Sequence, residues 1–144
     1  MQFIIHADGG ARGNPGPSAI GAVIEQDNSG GHRTTVLEVS TYIGETTNNI
    51  AEYTAVLEAL RSLRDYIVQQ TVRDFDVHVI LDSRLVVNQL NGIFKVKDAA
   101  IREKIAYIRI VEQEIGGSVR YTLVSRYNNT RADVLVNKAL DAGR

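Results

Sequence analysis

The sequence contains no cysteine among its 144 residues. This absence excludes disulfide bonds, thiolate metal sites and a cysteine nucleophile, so any bound metal must use oxygen or imidazole ligands. The chain also lacks any stretch that approaches the roughly 20 consecutive apolar residues of a membrane span. Its first residues do not show the basic and apolar pattern of a signal peptide. We therefore expect a soluble, cytoplasmic protein with no membrane association.

An excess of charge of one sign is missing as well. The 16 basic residues nearly balance the 17 acidic ones, and the net charge is -1. The composition by itself thus does not indicate a nucleic-acid partner, although it allows a local basic patch. The sequence has no internal repeat, low-complexity segment or linker. We expect residues 1–144 to form a single domain, because this length suits one ordinary core.

The periodicity of the apolar residues predicts an α/β protein with the element order βββαβααβα. The first three strands are expected to form an antiparallel meander, with a glycine-rich reversal at 27–31. This order implies a five-stranded mixed sheet with helices on both faces. The predicted strands are 2–7, 18–26, 33–43, 77–81 and 119–124, and the predicted helices are 49–68, 84–90 after a Ser83 cap, 98–115 and 131–140.

Four acidic residues lie where the predicted elements begin or end. Asp8 ends the first strand and Asp82 ends the fourth. A right-handed crossover would place these two strands parallel, with both carboxylates at the edge of the sheet where ligands of α/β proteins bind. Glu52 lies in the first turn of the long helix and on its apolar side, and Asp133 lies in the first turn of the last helix.

Each of these acids, taken alone, also fits a purely structural role. Glu52 could form a capping box with Asn49, Asp133 could interact with a helix dipole, Asp82 could be an N-cap, and Asp8 could stabilise its turn. Four acids at one edge, however, would repel one another unless cations neutralised them. Mg²⁺ prefers oxygen ligands. Two such ions, about 4 Å apart, can activate a water and stabilise the leaving oxygen in phosphodiester hydrolysis.

Four segments of the chain resemble, in order and spacing, the motif blocks of type 1 ribonuclease H: DGGARGNPGPSAIGAVI, TTNNIAEYTAVLEAL, LDSRLVVNQLNGIFKVKD and RYNNTRADVLVNKAL. The resemblance covers nearly the whole chain. It implies the ribonuclease H-like fold and a monomeric endonuclease that hydrolyses the RNA strand of RNA–DNA hybrids. The implied cofactors are two Mg²⁺ ions per active site, with Mn²⁺ as the alternative, and the implied products carry 5′-phosphate and 3′-hydroxyl ends.

The resemblance also implies a role for each acid. Asp8 would bridge both ions, and Asp133 would join it at the ion that activates water. Glu52 and Asp82 would hold the ion that faces the leaving 3′ oxygen. All four would therefore be both catalytic residues and metal ligands.

Contacts to the substrate are implied in the same way. Asn14 and Asn48 look like the minor-groove contacts of the family, which distinguish RNA from DNA through 2′-hydroxyls, although each could instead be a turn or pre-helix residue. Thr47 resembles a contact to a phosphate of the DNA strand. The other residues of the predicted substrate surface are Gly9 and Gly10, whose backbone would approach the nucleic acid closely, and Asn49, Phe94, Lys95, Lys97 and Arg126.

Two segments depart from many members of the family. In place of the long basic insertion that follows the third motif in those relatives, this chain has GIFKVKDAAIREK. Phe94, Lys95 and Lys97 either form a smaller substitute for that insertion, or belong to a solvated segment that leads into the next helix and contains one core phenylalanine. The loop before Asp133, where many relatives have a histidine, reads SRYNNT. The three histidines of this chain, His6, His32 and His78, lie in predicted strands or beside a turn, which favours core or surface roles.

Two other functions are compatible with parts of this pattern. A different nuclease of the ribonuclease H-like superfamily could use the same acids on another nucleic acid, because fold alone does not determine function. A non-catalytic hybrid-binding module would have lost at least one of the four acids. Because all four are present, and because asparagines and glycines surround Asp8 and Glu52, the sequence favours hydrolysis of RNA–DNA hybrids.

Overall fold

A five-stranded mixed sheet in the order β3-β2-β1-β4-β5 forms the centre of the computed structural model, which describes residues 1–28 and 31–143. Its elements are β1 (Gln2–Ala11), β2 (Gly16–Asn28), β3 (His32–Thr46), α1 (Asn48–Gln70), β4 (Asp76–Leu81), α2 (Arg84–Leu90), α3 (Ala99–Ile115), β5 (Ser118–Leu123), a 3₁₀ turn (Arg126–Asn128) and α4 (Thr130–Ala142). Strands β1 to β3 are antiparallel, whereas β4 runs parallel to both β1 and β5. The predicted element order and mixed sheet are confirmed. Residues 29 and 30 of the predicted reversal lie outside the described residues.

One face of the sheet packs against α1 and α2, and α3 packs on α1. The predicted apolar face of α1 is buried in full: Tyr53, Val56, Leu57, Leu60, Leu63 and Ile67. These side chains pack on Phe3 and Ile5 of β1 and on neighbouring strand residues. Burying a side chain of this size contributes about 1.5–3 kcal/mol. Thr47 begins α1 by accepting a hydrogen bond from the Ile50 N–H, which fixes the first turn of the helix.

The opposite face of the sheet carries α4. Val136 and Ala139 of this helix pack on Ala19 of β2. A Cβ at Gly21 would lie only 2.4 Å from the carbonyl oxygen of Ala132, so α4 approaches the strand at a distance that only glycine permits. The expectation of helices on both faces is therefore confirmed. Of the helices in the described part of the chain, none has the length and apolar character that crossing a lipid bilayer requires.

Strand β1 is longer than the sequence predicted, and Asp8 does not end it. Pairing with β2 continues as far as Ala11, whereas the parallel ladder with β4 stops at His6. The prediction failed because the glycines after Asp8 are typical of a loop. Gly9 instead has a packing role: a Cβ there would lie 2.2 Å from the Ala51 carbonyl oxygen, so α1 rests directly on the strand.

Candidate active site

All four predicted acids line one cleft of about 280 Å³: Asp8, Glu52, Asp82 and Asp133. We call this region the acid cleft. The parallel ladder between β1 and β4 ends at the pair His6 and Ile80, and Asp8 and Asp82 each lie two residues further along. The parallel strands therefore place both carboxylates at the same edge of the sheet. Glu52 reaches that edge from α1 on one face of the sheet, and Asp133 reaches it from the first turn of α4 on the other.

Two of the structural alternatives for these acids are wrong. The N-cap of α1 is Thr47, so Glu52 is the fifth residue of the helix and lies in its second turn rather than its first. A capping box between Glu52 and Asn49 is therefore excluded. The N-cap of α2 is Ser83, whose hydroxyl oxygen accepts the Val86 N–H at 3.3 Å, so Asp82 does not cap this helix.

The pKa values of Asp8 and Glu52 are raised in this cleft. Burial, followed by the negative charges of Asp82, Asp133 and Glu52, raises the pKa of Asp8 to about 8, and a hydrogen bond from the Gly9 backbone opposes this shift only in part. The pKa of Glu52 is also raised, mainly by burial and then by the charge of Asp82. The raised pKa values of Asp8 and Glu52 agree with the repulsion that the sequence predicted for acids gathered at one edge.

Glu52 has one carboxylate oxygen with a partner and one without. Its Oε1 accepts a hydrogen bond from Asn48 Nδ2 at 3.1 Å. Its Oε2 is buried and has no hydrogen-bond partner. Because an unpaired buried carboxylate oxygen is unfavourable, this atom marks a place where a cation or a donor from a substrate would bind.

Asn129 is a site residue that the sequence analysis missed. Its side chain is buried, with 1% exposed, and its Nδ2 donates to the Ala7 carbonyl oxygen and to Asp82 Oδ2, both at 2.9 Å. This amide therefore holds β1, just before Asp8, together with the carboxylate of Asp82. Asn129 lies in a polar stretch without periodicity, and the 3₁₀ turn that buries it was not predicted from sequence, so no local signal distinguished it from a loop residue.

The predicted substrate residues before α1 form a connected group. Asn14 Oδ1 accepts the Asn48 N–H at 3.0 Å, and Asn48 Oδ1 accepts the Ala11 N–H at 3.2 Å. These bonds join the turn after β1 to the first residue of α1. Asn48 and Gly10 line the acid cleft, as does the buried Gly9. Thr47 and Asn49 are exposed at the same end of α1.

The remaining predicted substrate residues divide into two groups. Arg126 lines the acid cleft. Phe94, Lys95 and Lys97 do not line it; they lie on the segment of residues 91–98 between α2 and α3, which we call the α2–α3 segment. Phe94 is 39% exposed, so the alternative of a core phenylalanine is wrong. Hydrogen bonds from Gln89 Nε2 to the Lys95 carbonyl oxygen (3.3 Å) and from Arg102 to the Val96 carbonyl oxygen (2.9 Å) fix the backbone of this segment.

The histidines lie where the sequence predicted. His6 and His78 are partly buried within β1 and β4, and the exposed His32 begins β3. The described residues that line the acid cleft include no histidine. The cleft does contain a cation that the sequence analysis did not single out, Arg12, on the turn between β1 and β2.

Comparison with known proteins identifies the family. The family model described as RNase H matches residues 1–141. The structure of LC11-RNase H1, isolated from compost by a metagenomic approach and solved in complex with an RNA/DNA hybrid, is 44% identical, with a TM-score of 0.86 over 97% of each chain. RNase H1 from the halophilic archaeon Halobacterium salinarum is 36% identical, with a TM-score of 0.85 over 99% of each chain.

A curated relative extends beyond this chain. The bifunctional protein Rv2228c of Mycobacterium tuberculosis is 37% identical over 99% of this chain, which spans 36% of the length of that relative. The matched segment thus corresponds to about one third of the relative. Together with the five-stranded sheet and the four acids in one cleft, these similarities place the chain in the RNase H family, as a type 1 member.

Proposed function

We propose that this protein hydrolyses the RNA strand of RNA–DNA hybrids and leaves 5′-phosphate and 3′-hydroxyl ends. The observation that carries this proposal is the convergence of Asp8, Glu52, Asp82 and Asp133 from four separate parts of the fold on one cleft. The substrate class is supported by LC11-RNase H1, which was solved with an RNA/DNA hybrid and is 44% identical to this chain.

The residues of the cleft fit divalent cations, on which the RNase H family generally depends. Positive charge would stabilise the unpaired, buried Glu52 Oε2. It would also stabilise the carboxylate of Asp8, whose pKa is raised to about 8 by burial and by the neighbouring acids. Among residues 1–28 and 31–143, no three acidic or imidazole side chains stand close enough together to hold one ion without moving. Waters and substrate oxygens would therefore complete the coordination, an arrangement that Mg²⁺ favours.

The resemblance to type 1 ribonuclease H supplies the residue roles. By that resemblance Asp8 would be shared by two Mg²⁺ or Mn²⁺ ions, with Asp133 at one of them and Glu52 and Asp82 at the other. When bound, such ions supply an activated water and stabilisation of the leaving 3′ oxygen. Asn48 orients Glu52, and Asn129 orients Asp82, so the carboxylates are directed into the cleft before substrate binds.

Recognition of the hybrid is assigned to the polar groups around the cleft. Asn14, Thr47, Asn48 and Asn49 lie together at the start of α1, where amide and hydroxyl groups can contact 2′-hydroxyls and phosphates. Gly10 exposes backbone in the same cleft, and Arg126 offers a charge for phosphate. The exposed Phe94, Lys95 and Lys97 would contact the nucleic acid at a second, smaller area.

The two alternative functions lack an observation of their own. A nuclease acting on another nucleic acid would use the same acids, but the similarity to LC11-RNase H1 favours the hybrid. A binding module would not need four carboxylates whose repulsion destabilises the folded protein. Hydrolysis of the hybrid explains both the acids and the surrounding amides.

The test compares cleavage of labelled RNA–DNA hybrid, double-stranded RNA and double-stranded DNA, each with Mg²⁺, with Mn²⁺ or with a chelator. We expect the RNA strand of the hybrid to be cut in the presence of a divalent ion and to remain intact with chelator. Cleavage of double-stranded DNA at a comparable rate, or hybrid cleavage that persists in chelator, would contradict the proposal. Sedimentation of the same preparation tests the predicted monomeric state.

A further inference from the structure

Arg12 and Arg126 are the only cations among the described residues that line the acid cleft. Arg12 lies on the turn between β1 and β2, where its backbone N–H donates to the Pro17 carbonyl oxygen at 2.8 Å. This bond fixes the backbone of the residue. Its side chain, by contrast, is 49% exposed, so the guanidinium can change partners without a movement of the turn.

The guanidinium of Arg12 is held by α4. Its Nη2 donates to Asp141 Oδ1 at 2.7 Å and, more weakly, to Asn137 Oδ1 at 3.3 Å. Asp133, Asn137 and Asp141 are spaced four residues apart and therefore share one face of α4. Arg12 thus reaches from the turn across to the helix face that begins with a proposed metal ligand.

Arg12 can readily exchange Asp141 for another anion. The Asp141 side chain is 70% exposed, and an ion pair in which both partners are this exposed contributes little to stability. A phosphate of nucleic acid can accept two parallel hydrogen bonds from a guanidinium, which gives a stronger and more directional contact. A phosphate that entered the cleft would therefore compete well against Asp141.

We propose that Arg12 binds a backbone phosphate of the hybrid, and that Asp141 is an internal anion that competes for Arg12 and weakens substrate binding. This inference rests on the proposed function. It assigns Arg12 to substrate affinity rather than to the chemical step. It also assigns to Asp141 a role that its exposed position on α4 does not otherwise suggest.

The test is a double-mutant cycle on hybrid cleavage, with KM and kcat measured for wild type, Arg12→Ala, Asp141→Asn and the double variant. Arg12→Ala is expected to raise KM by about fivefold to tenfold with kcat within about twofold, as for the loss of one charged phosphate contact. Asp141→Asn is expected to lower KM by up to about fivefold, the range of an exposed ion pair. In the absence of Arg12, Asp141→Asn should leave KM unchanged.

Glu114→Gln is the matched control. It removes an equally short exposed ion pair, Arg64 with Glu114 at 2.7 Å, from helices outside the acid cleft, and it changes the net charge by the same amount. We expect this variant to have the KM of wild type. In Arg12→Ala, the slope of log KM against log salt concentration should be smaller by about one unit, because each phosphate contact contributes roughly 0.9 to that slope.

Three results would overturn the inference. The first is a KM and a salt slope in Arg12→Ala that equal those of wild type. The second is a KM of Asp141→Asn that equals that of Glu114→Gln. The third is a decrease of KM on Asp141→Asn that is still seen when Arg12 is replaced by alanine. Each would leave the proposed function intact, provided that wild type cleaves the hybrid. Failure of wild type to cleave the hybrid would instead contradict the proposed function itself.

Discussion

The acid cleft and the α2–α3 segment are both predicted to contact nucleic acid, but they are built in opposite ways. The cleft draws its carboxylates from β1, α1 and α4 and from the residue after β4, and the amides of Asn48 and Asn129 hold two of them in place. The α2–α3 segment presents neighbours in sequence, and Phe94, Lys95 and Lys97 are all exposed. The difference indicates that catalytic side chains must be fixed by contacts across the whole fold. Additional affinity for nucleic acid, by contrast, can come from a short exposed segment.

Substitution of a single cleft carboxylate should have the largest effect. Asp8→Asn keeps the shape of the side chain but removes the charge that both ions would share. We expect hybrid cleavage to fall by at least about a thousandfold, because several kcal/mol of transition-state stabilisation are lost. The measurement is single-turnover cleavage with saturating Mg²⁺, with circular dichroism to verify folding. A folded variant that retained a rate near that of wild type would exclude the proposed two-ion site.

A substitution of Asn129 tests whether this buried residue affects the proposed metal ligands. Asn129→Ala leaves the Ala7 carbonyl oxygen and Asp82 Oδ2 without their donor. Loss of a residue that orients a ligand typically costs about 10- to 100-fold in activity or metal affinity. We therefore expect a lower kcat and a higher Mg²⁺ concentration at half-maximal rate, together with a smaller rise in melting temperature on addition of Mg²⁺.

The control for Asn129→Ala is Asn128→Ala. Asn128 is the exposed neighbour, which bonds only locally to Ser125 Oγ among the described residues. This variant should match wild type in kcat and in its Mg²⁺ requirement. If Asn129→Ala merely lowered the melting temperature and left the Mg²⁺ requirement unchanged, Asn129 would have a structural role alone.

Asp8 should also make stability depend on pH in the absence of metal. Its pKa is raised from 3.8 to about 8, so between these values the folded state binds more protons than the unfolded state. Stability therefore decreases as the pH rises through this window. In chelator, Asp8→Asn should be more stable than wild type at pH 8, by roughly 1–3 kcal/mol after allowance for partial exposure, and this advantage should disappear near pH 4. Equal stability at pH 8 would mean that neither burial nor the neighbouring acids destabilise the ionised carboxylate of Asp8.

The fold was predictable where one local pattern determines an element. The apolar positions of α1, including Leu60 and Leu63, repeat at helical spacing, and every one of them is buried. The helix end predicted at the two glycines is confirmed as well, because Gly116 adopts φ 80° at the C-cap of α3.

What the sequence could not predict depends on contacts between distant parts of the chain. Asp8 lies within β1 because β2 continues to pair beyond it, and Gly9 is required because α1 packs on the strand. The burial of Asn129 results from contacts with Ala7 and Asp82, which are 122 and 47 residues away in the sequence. The four acids were predicted from their positions at the ends of elements and from the resemblance to a family, whereas Asn129, which holds Asp82, was not predicted.

The α2–α3 segment should show a smaller and purely electrostatic effect. Lys95→Ala combined with Lys97→Ala removes two exposed cations, so KM is expected to rise by several fold while kcat changes little. The salt dependence of log KM should become shallower, because each lost phosphate contact removes roughly 0.9 from the slope. Lys104→Ala with Lys138→Ala, on α3 and α4 and not among the residues that line the acid cleft, is the control for net charge. An identical salt slope in both double variants would show that the α2–α3 segment does not contact the nucleic acid.

Arg126 should give the smallest change, and its effect separates binding from proton transfer. Its guanidinium lines the acid cleft near Glu52, and its positive charge lowers the pKa of that carboxyl, although burial leaves the pKa raised overall. A guanidinium stays protonated at all ordinary pH values, so Arg126 can attract a phosphate but cannot relay a proton. Arg126→Ala should therefore raise KM by a few fold and leave the shape of the pH profile of kcat unchanged.

The measurement is kcat from about pH 6 to 10 with saturating metal, for wild type and variant. A limb displaced by a full pH unit, or a new ionisation, would show that the loop before Asp133 takes part in proton transfer even without a histidine.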